Sequence, residues 1–535
     1  MTGQASGIQY QRIRAPRGHG ESLVVPSPLS PATLVEAHRQ RLDNASANVA
    51  EGTQLEALRE GARAEIVRLA HEYTRAYRPV AQTPDSTAPL ILSGHQPALY
   101  HPGVWFKNFL IDRIAANTSG TAINVIIDND VAPAPSISAL QGSPDDPQPA
   151  RIAYDQPGAR LPWEMTTIES IDTLRTFAER VHATFGKFVP DPMIGNFWPE
   201  VLAAVESGKP LGLAFSQARN RLEAEFGLQV LDVPLSQICQ TVWFGKMLVG
   251  ILENASRYRE IYNACVAQYR SIHGIRSTSH PVPDLGADEG WIEVPFWVWT
   301  RENPRRQPLW IAYQQHGIRL SDRSDWQTEL ASGSDLVAQL HALSDQGVYV
   351  RPRALATTTI LRLAASDLFV HGIGGAKYDQ VTDEIIRQFY EIEPPHYVTA
   401  TASALLPLPR PAATEVDLAN IERKLRDVVF NPERAMEDQA IDDPAWHVLL
   451  KEKSELLNNI PSLSEKNLWH RKLQEVNDRL RELITEPVAR LRIERDRIAR
   501  QLQQTSLLTS REFPFILFPK EGLRNLLLDL AVKDL

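Results

Sequence analysis

Hydrophobic and polar positions change period along the chain, and the changes mark its elements. Between Pro31 and about Arg78, apolar residues fall at helical spacing among charges. Leu55, Leu58, Ile66 and Leu69 share one face, which predicts helices in "SPATLVEAHRQRL" and "QLEALREGARAEIVRLAHEYTRAY". The first 30 residues, rich in Gly, Pro and Ser, read as an irregular arm, and "PVAQTPDSTAP" reads as a linker. Then come two continuous apolar runs, "PLILSG" and "AINVIIDND", joined by a helical "WFKNFLIDRIAANTSG" that ends in glycine. Two buried strands joined by one helix predict a βαβ unit, whose strands must pair in parallel.

The middle of the chain stays mixed. "IDTLRTFAERVHATFG" and "GLAFSQARNRLEAEFG" predict helices, and "LQVLDVP" predicts a third strand. "WIEVPFWVWTRENPRRQPLWIAYQ" holds two aromatic-rich strands around a polar turn, hence a hairpin, with Trp291, Trp297, Trp299 and Trp310 expected in the core. "GVYVRPRALATTTILRLAASDLFVHGIGGAKYD" predicts a strand, a helix, a further strand and a glycine-rich loop. A helix over "VTDEIIRQFYEIEPP", capped by Thr382 or Asp383, and a last strand in "HYVTATASALLP" follow.

After "PLPRPAAT" glycine disappears and charges dominate up to about Gln504. Leu473, Val476, Leu480 and Leu483 make one seam, continued by Leu491, Ile498 and Leu502, which predicts a long helical hairpin or short coiled coil. Pro487 should kink or restart a helix there, with Thr485 as a candidate N-cap. The apolar tail "REFPFILFPKEGLRNLLLDLAVKDL" is expected to fold back on the core. The expected divisions are an N-terminal arm with helices (1–80), an α/β core (81–410), a helical arm (411–510) and a tail (511–535).

Composition narrows the function. With 43% hydrophobic and 23% charged residues among 535, the chain is an ordinary globular one, long enough for more than one domain. A net charge of −9 supplies no footprint for nucleic acid or anionic lipid, so neither partner is expected. No apolar run reaches the roughly 18 residues a membrane helix needs, and the N-terminus lacks a secretory core. The two cysteines, Cys239 and Cys265, read as buried thiols in a reducing cytoplasm.

Parallel sheets hold their ligands at the carboxyl ends of the strands. Those ends predict three candidate clusters. Ser93, Gly94, His95 and Gln96, followed by His101 and by Lys107 on the next helix, combine close backbone approach with proton transfer and charge, His95 and Gln96 ranking above His101 and Lys107. Asp128, Asn129 and Asp130 could bind an amine, a hydroxyl or a divalent cation, and equally suit an Asx turn. His371, Gly372, Gly374, Gly375, Lys377 and Tyr378 lie where an anion cradle would form between strand and helix. Arg351 and Arg353 offer guanidinium forks for a carboxylate, although a surface ion pair is the commoner fate of an arginine. No zinc-ligand spacing, nucleophile elbow, Walker-type loop or kinase signature occurs, so no metal site is expected.

The succession of these motifs resembles the family of the bacillithiol biosynthesis cysteine-adding enzyme, a cysteine ligase. Its Thr-Gly-Gln-Gln, Gly-Pro and lysine correspond to Ser93-Gly94-His95-Gln96, Pro102-Gly103 and Lys107. Its Asp-His-Asp corresponds to Asp128-Asn129-Asp130, its Arg-Pro to Arg351-Pro352, and its later glycine loop to His371–Gly375 with Tyr378 in register. Its Phe-Pro…Gly-Leu tail matches Phe518-Pro519 and Gly522-Leu523. The resemblance implies a Rossmann-like core with helical insertions, a C-terminal coiled coil making a homodimer, and amide formation between cysteine and the amine of glucosaminyl malate. Three positions depart from it: His95 for glutamine, Asn129 for histidine and Gly375 for glutamate.

On that resemblance, His95, Asp128 and Asp130 would orient and deprotonate the amine, while Gly372–Gly375 and Arg351 would hold an anionic group. Amide formation needs an activated carboxyl, for which ATP or another nucleotide is one route. Two other readings remain. A class I synthetase-like nucleotidyl transfer would use histidines at the first strand turn, although the His-x-Gly-His spacing is absent. A dimeric scaffold that only binds a metabolite would expect altered site residues.

Overall fold

The continuous apolar runs become neighbours in one six-stranded sheet. Its order is Glu21–Val25, Tyr397–Ser403, Leu368–His371, Leu90–His95, Thr121–Ile126, Leu231–Pro234. All neighbours pair in parallel except the edge strand Glu21–Val25, which runs antiparallel to Tyr397–Ser403. The computed structural model describes residues 7–10, 12–26, 31–43, 45, 47–50, 52–80, 84–332, 335–437 and 441–533. Parts of the expected arm (1–6, 11, 27–30), of the linker (81–83) and of the tail (534–535) lie outside the described residues. The rest of the arm is not irregular throughout, because it supplies the antiparallel edge strand.

The sheet is covered on both faces, which is why its strands carry no alternation. Leu90, Leu92, Ile123, Val125, Leu231 and Val233 share a core cluster with Leu55, Leu58, Ala62 and Ile66 of helix Leu55–Arg75. Helix Pro102–Thr118 contacts strands Leu90–His95, Thr121–Ile126 and Tyr397–Ser403. It ends on Ser119 in the left-handed conformation (φ 51°), one residue before the expected glycine.

The aromatic hairpin forms as expected, Trp291–Thr300 pairing antiparallel with Gln307–Gln314. It belongs, however, to a second, antiparallel sheet ordered Gln327–Ala331, Gly317–Ser321, Gln307–Gln314, Trp291–Thr300, Val348–Pro352. Only Trp299 is in the core, at 2% exposure. Trp291, Trp297 and Trp310 are half-buried because arginines cover them: Arg323 over Trp291 and Trp310, Arg306 and Arg353 over Trp297.

The chain divides into two compact units. One comprises Met1–Gln141, Ala150–Leu406 and Arg511–Leu535; the other comprises Gly142–Pro149 and Pro407–Ser510. The tail therefore belongs with the sheets. In the second unit, helices Glu415–Phe430, Pro444–Asn458, Lys466–Leu483 and Thr485–Leu508 share an apolar cluster that includes Val476, Leu480, Leu491 and Ile498. The helix restarts at Thr485 after Ile484, so Thr485 is its first residue and not its cap. Pro487 is tolerated there because a first helical turn has no internal acceptor for its N–H groups. No described helix is long and apolar enough to cross a membrane.

Candidate active site at the ends of the parallel strands

Ser93 shows how polar residues enter the strand that precedes the site. It is fully buried, and its hydroxyl donates to the Val370 carbonyl of the neighbouring strand (2.9 Å). Two residues on, His95 closes the strand. Its Nδ1 lies 2.7 Å from the Gln96 carbonyl, which can only accept, so Nδ1 carries the proton and Nε2 keeps a lone pair. The Tyr100 ring stands edge-on to the imidazole at 4.3 Å. Burial, then the cations Lys107 and Arg219 and neighbouring His101, push the His95 pKa well below its ordinary value, against the Gln96 bond. His95 is thus a neutral imidazole.

Lys107 is 3% exposed, and its ammonium donates to the Gly94 carbonyl (2.7 Å). Burial, reinforced by Arg219, pushes its pKa down to about 7. Beneath this pair lies a network in which Arg219 holds Asp232 through both carboxylate oxygens (2.6 and 2.5 Å) and Glu223 at 3.3 Å, and donates to Tyr100 Oη (3.1 Å). His101 has a different task. Its side chain accepts from Gly103 N (3.1 Å) and caps helix Pro102–Thr118.

The two aspartates of Asp128-Asn129-Asp130 diverge, contrary to a shared carboxylate site. Asp128 accepts from Ser236 N (3.0 Å) and the Ser236 hydroxyl, and burial, followed by the charge of Glu164, raises its pKa to about 7. Asp130 instead accepts from Gln96 Nε2, from Arg306 (2.9 Å) and from Val131 N (2.8 Å). Between them, Asn129 Nδ2 donates to the Pro352 carbonyl (2.8 Å), while its Oδ1 is buried without a partner among the described residues.

Arg351 does not join the glycine turn. Its Nε and a terminal nitrogen grip Glu164 bidentately (2.9 and 2.8 Å), and its other terminal nitrogen meets the Val350 carbonyl (3.1 Å). Lys107 is the cation beside that turn: a Cβ built on Gly372 would lie 4.0 Å from Lys107 Cδ. The turn is also not a loop. Gly372 caps helix Ile373–Ile385, so Gly374 and Gly375 form its first turn, and Thr382 and Asp383 are interior. Lys377 is exposed, and the half-buried Tyr378 ring lies 6.0 Å from that of His280.

His371, at the end of strand Leu368–His371, places Nε2 2.8 Å from Asp379 Oδ2. Asp379 also accepts from Arg362 (2.7 Å) and Thr358 (2.8 Å). Burial opposes its ionisation, but His371 and Arg362 outweigh that and hold it below the usual carboxylate range. Gly375 must lack a side chain, since a Cβ there would lie 2.8 Å from His371 Nδ1.

Sequence reasoning missed Tyr100, Glu164, Arg219, Asp232, Ser236, Arg306, Arg362 and Asp379. Asp232 alone left a trace, as a lone charge inside the apolar run "LQVLDVP". No described cavity opens on His95. A cavity of about 500 Å³ is lined by Ala132–Pro135, Tyr154–Leu161 and Trp163, whose N donates to the Asp130 carbonyl (2.9 Å). The described residues hold no group of three or more His, Cys, Asp or Glu able to bind a metal ion. No family model matches the chain, and no curated protein matches it.

Proposed function

We propose that the protein is a Rossmann-like carbon–nitrogen ligase that joins an activated amino acid, such as cysteine, to a sugar amine such as glucosaminyl malate. Counted along the chain, the parallel strands lie in the order third, second, first, fourth, fifth. The order therefore reverses between Leu90–His95 and Leu368–His371, where open α/β sheets bind ligands. The observation that carries the reading is the neutral His95 imidazole, its Nε2 lone pair uncommitted among the described residues, beside Lys107 at that reversal.

The amine nitrogen attacks the acyl carbon, forming the C–N bond while the leaving group departs with its electron pair. His95 Nε2 takes the proton the amine sheds; its lowered pKa makes it a weak base, sufficient because the attacking nitrogen turns acidic once it bonds the acyl carbon. Lys107 and the N–H groups of the Gly372–Gly375 turn hold the anionic leaving group or a substrate carboxylate. If a nucleotide supplies the activation, these same groups would hold its phosphates. Asp128 and the orphaned Asn129 Oδ1 lie on the acceptor side, where a buried acceptor without a donor suits a substrate N–H. A coiled-coil homodimer through the helical unit and a cytoplasmic location belong to the same proposal, and two buried, unpaired cysteines support a reducing compartment.

The experiment is mass spectrometry of product from cysteine and glucosaminyl malate, with and without ATP, and from a preformed cysteinyl thioester. Condensed product that falls about 10²–10⁴-fold in His95→Gln supports the reading. No product from the thioester overturns it. It would favour a metabolite-binding scaffold, a role suited to Asp128, Asp130 and Arg351 already having protein partners.

A further inference from the structure

The His95 turn is braced by residues from the other end of the chain. Phe515 N donates to the Tyr100 carbonyl (2.9 Å), and the Phe515 ring lies 5.8 Å from that of Tyr100 and 4.5 Å from that of Trp105. Arg511 donates to Thr401 Oγ1 (2.8 Å) and the Ala402 carbonyl (3.0 Å), and it occupies the space beside Gly103, where a Cβ would collide with its guanidinium. Glu512 reaches His101 Nε2 at 3.7 Å. Between these contacts and the imidazole stands one side chain, Tyr100. Its ring edge covers His95 and its hydroxyl is anchored by Arg219.

We propose that the segment Arg511–Phe518, acting through Tyr100, is a positioning element for His95. The proposal rests on the reading of His95 as the base. The half-buried ring stays neutral below its ordinary pKa because its neighbours limit the hydration its charged form would gain. The groups around it are Lys107 and His101 from the following helix, Arg219 with Glu223 from helix Leu211–Glu225, Asp232 from the next strand, and Asp130 through Gln96. Tyr100 is the one that excludes solvent without adding charge. Phe515 fixes where its ring stands.

The test is a pH titration of the His95 ring by NMR, using the full chain labelled with ¹⁵N-histidine and assigned with His95→Gln. The wild-type ring is expected to remain neutral where a free imidazole, near pH ~6.5, is half charged. Tyr100→Leu should move its midpoint up toward that value, Phe515→Leu should move it the same way by less, and Tyr100→Phe should leave it unchanged. An unmoved midpoint in folded Tyr100→Leu overturns the proposal; if that variant does not fold, Phe515→Leu decides by the same criterion. The catalytic reading of His95 fails separately, when the titration moves as stated but the rate–pH profile of product formation does not.

Discussion

His95 and His371 end neighbouring parallel strands, on either side of the reversal in sheet order, yet their surroundings differ in kind. His95 faces Lys107, Arg219 and His101, and its nearest polar partner is a neutral carbonyl. His371 faces Asp379, a carboxylate kept ionised by the same histidine and Arg362. Topology alone therefore does not assign a role to a strand end. The first position leaves the imidazole neutral, and the second ties Nε2 to a charge and directs Nδ1 at the helix turn.

The largest effect should come from breaking the His371 side. Arg362 is 1% exposed and compensates both Asp379 and Asp383, so Arg362→Leu should cost about 3–5 kcal/mol in urea unfolding. On the His95 side the sign reverses. The Lys107 pKa is about 7 when folded, against 10.5 ordinarily. Between those values the unfolded chain holds a proton that the folded chain has lost, so this group makes stability rise with pH. Lys107→Met should flatten that rise and gain about 1–3 kcal/mol near pH 7.5, measured by unfolding across the range.

Smaller substitutions sharpen the contrast. Gly375→Ala should cost about 1–3 kcal/mol, because its methyl group meets a ring pinned by Asp379. Gly374→Ala meets nothing within 4 Å and should gain up to about 1 kcal/mol in melting experiments on the same helix. Equal effects at the two glycines would remove the argument that His371 is held in place. Lys377→Ala, on an exposed position, should change stability by less than about 0.5 kcal/mol.

How far the sequence could be read followed the range of the contacts involved. The βαβ unit was legible because Leu90–Leu92 and Ile123–Ile127 are apolar runs, interrupted only by Asn124, separated by one helix. Glu21–Val25 was not, since an edge strand is half-buried and exists only through pairing with Tyr397–Ser403. The antiparallel sheet was seen only as a hairpin: Gly317–Ser321 and Gln327–Ala331 are short, polar strands that extend it locally, and Val348–Pro352 joins it from far along the chain. Glycine's low helix propensity made Gly372–Gly375 look like a loop, although a first turn, with its N–H groups unpaired in any case, tolerates glycine. Ser93, His95 and His371 lie toward the carboxyl ends of their strands and Lys107 on the following helix, as the pattern predicted. Their controlling partners, Arg219 and Asp379, were hidden because an electrostatic neighbour leaves no periodic mark.

The brace on the Tyr100 turn also orders events during synthesis. Ribosomes deliver the chain from its N-terminus, so the strand and helix around His95 emerge long before Phe515. The helical unit Pro407–Ser510 is made in the interval. Until residues 511–518 follow, Trp105 and Tyr100 lack the Phe515 ring that packs on both. A nascent chain at that stage would expose this apolar surface to chaperones.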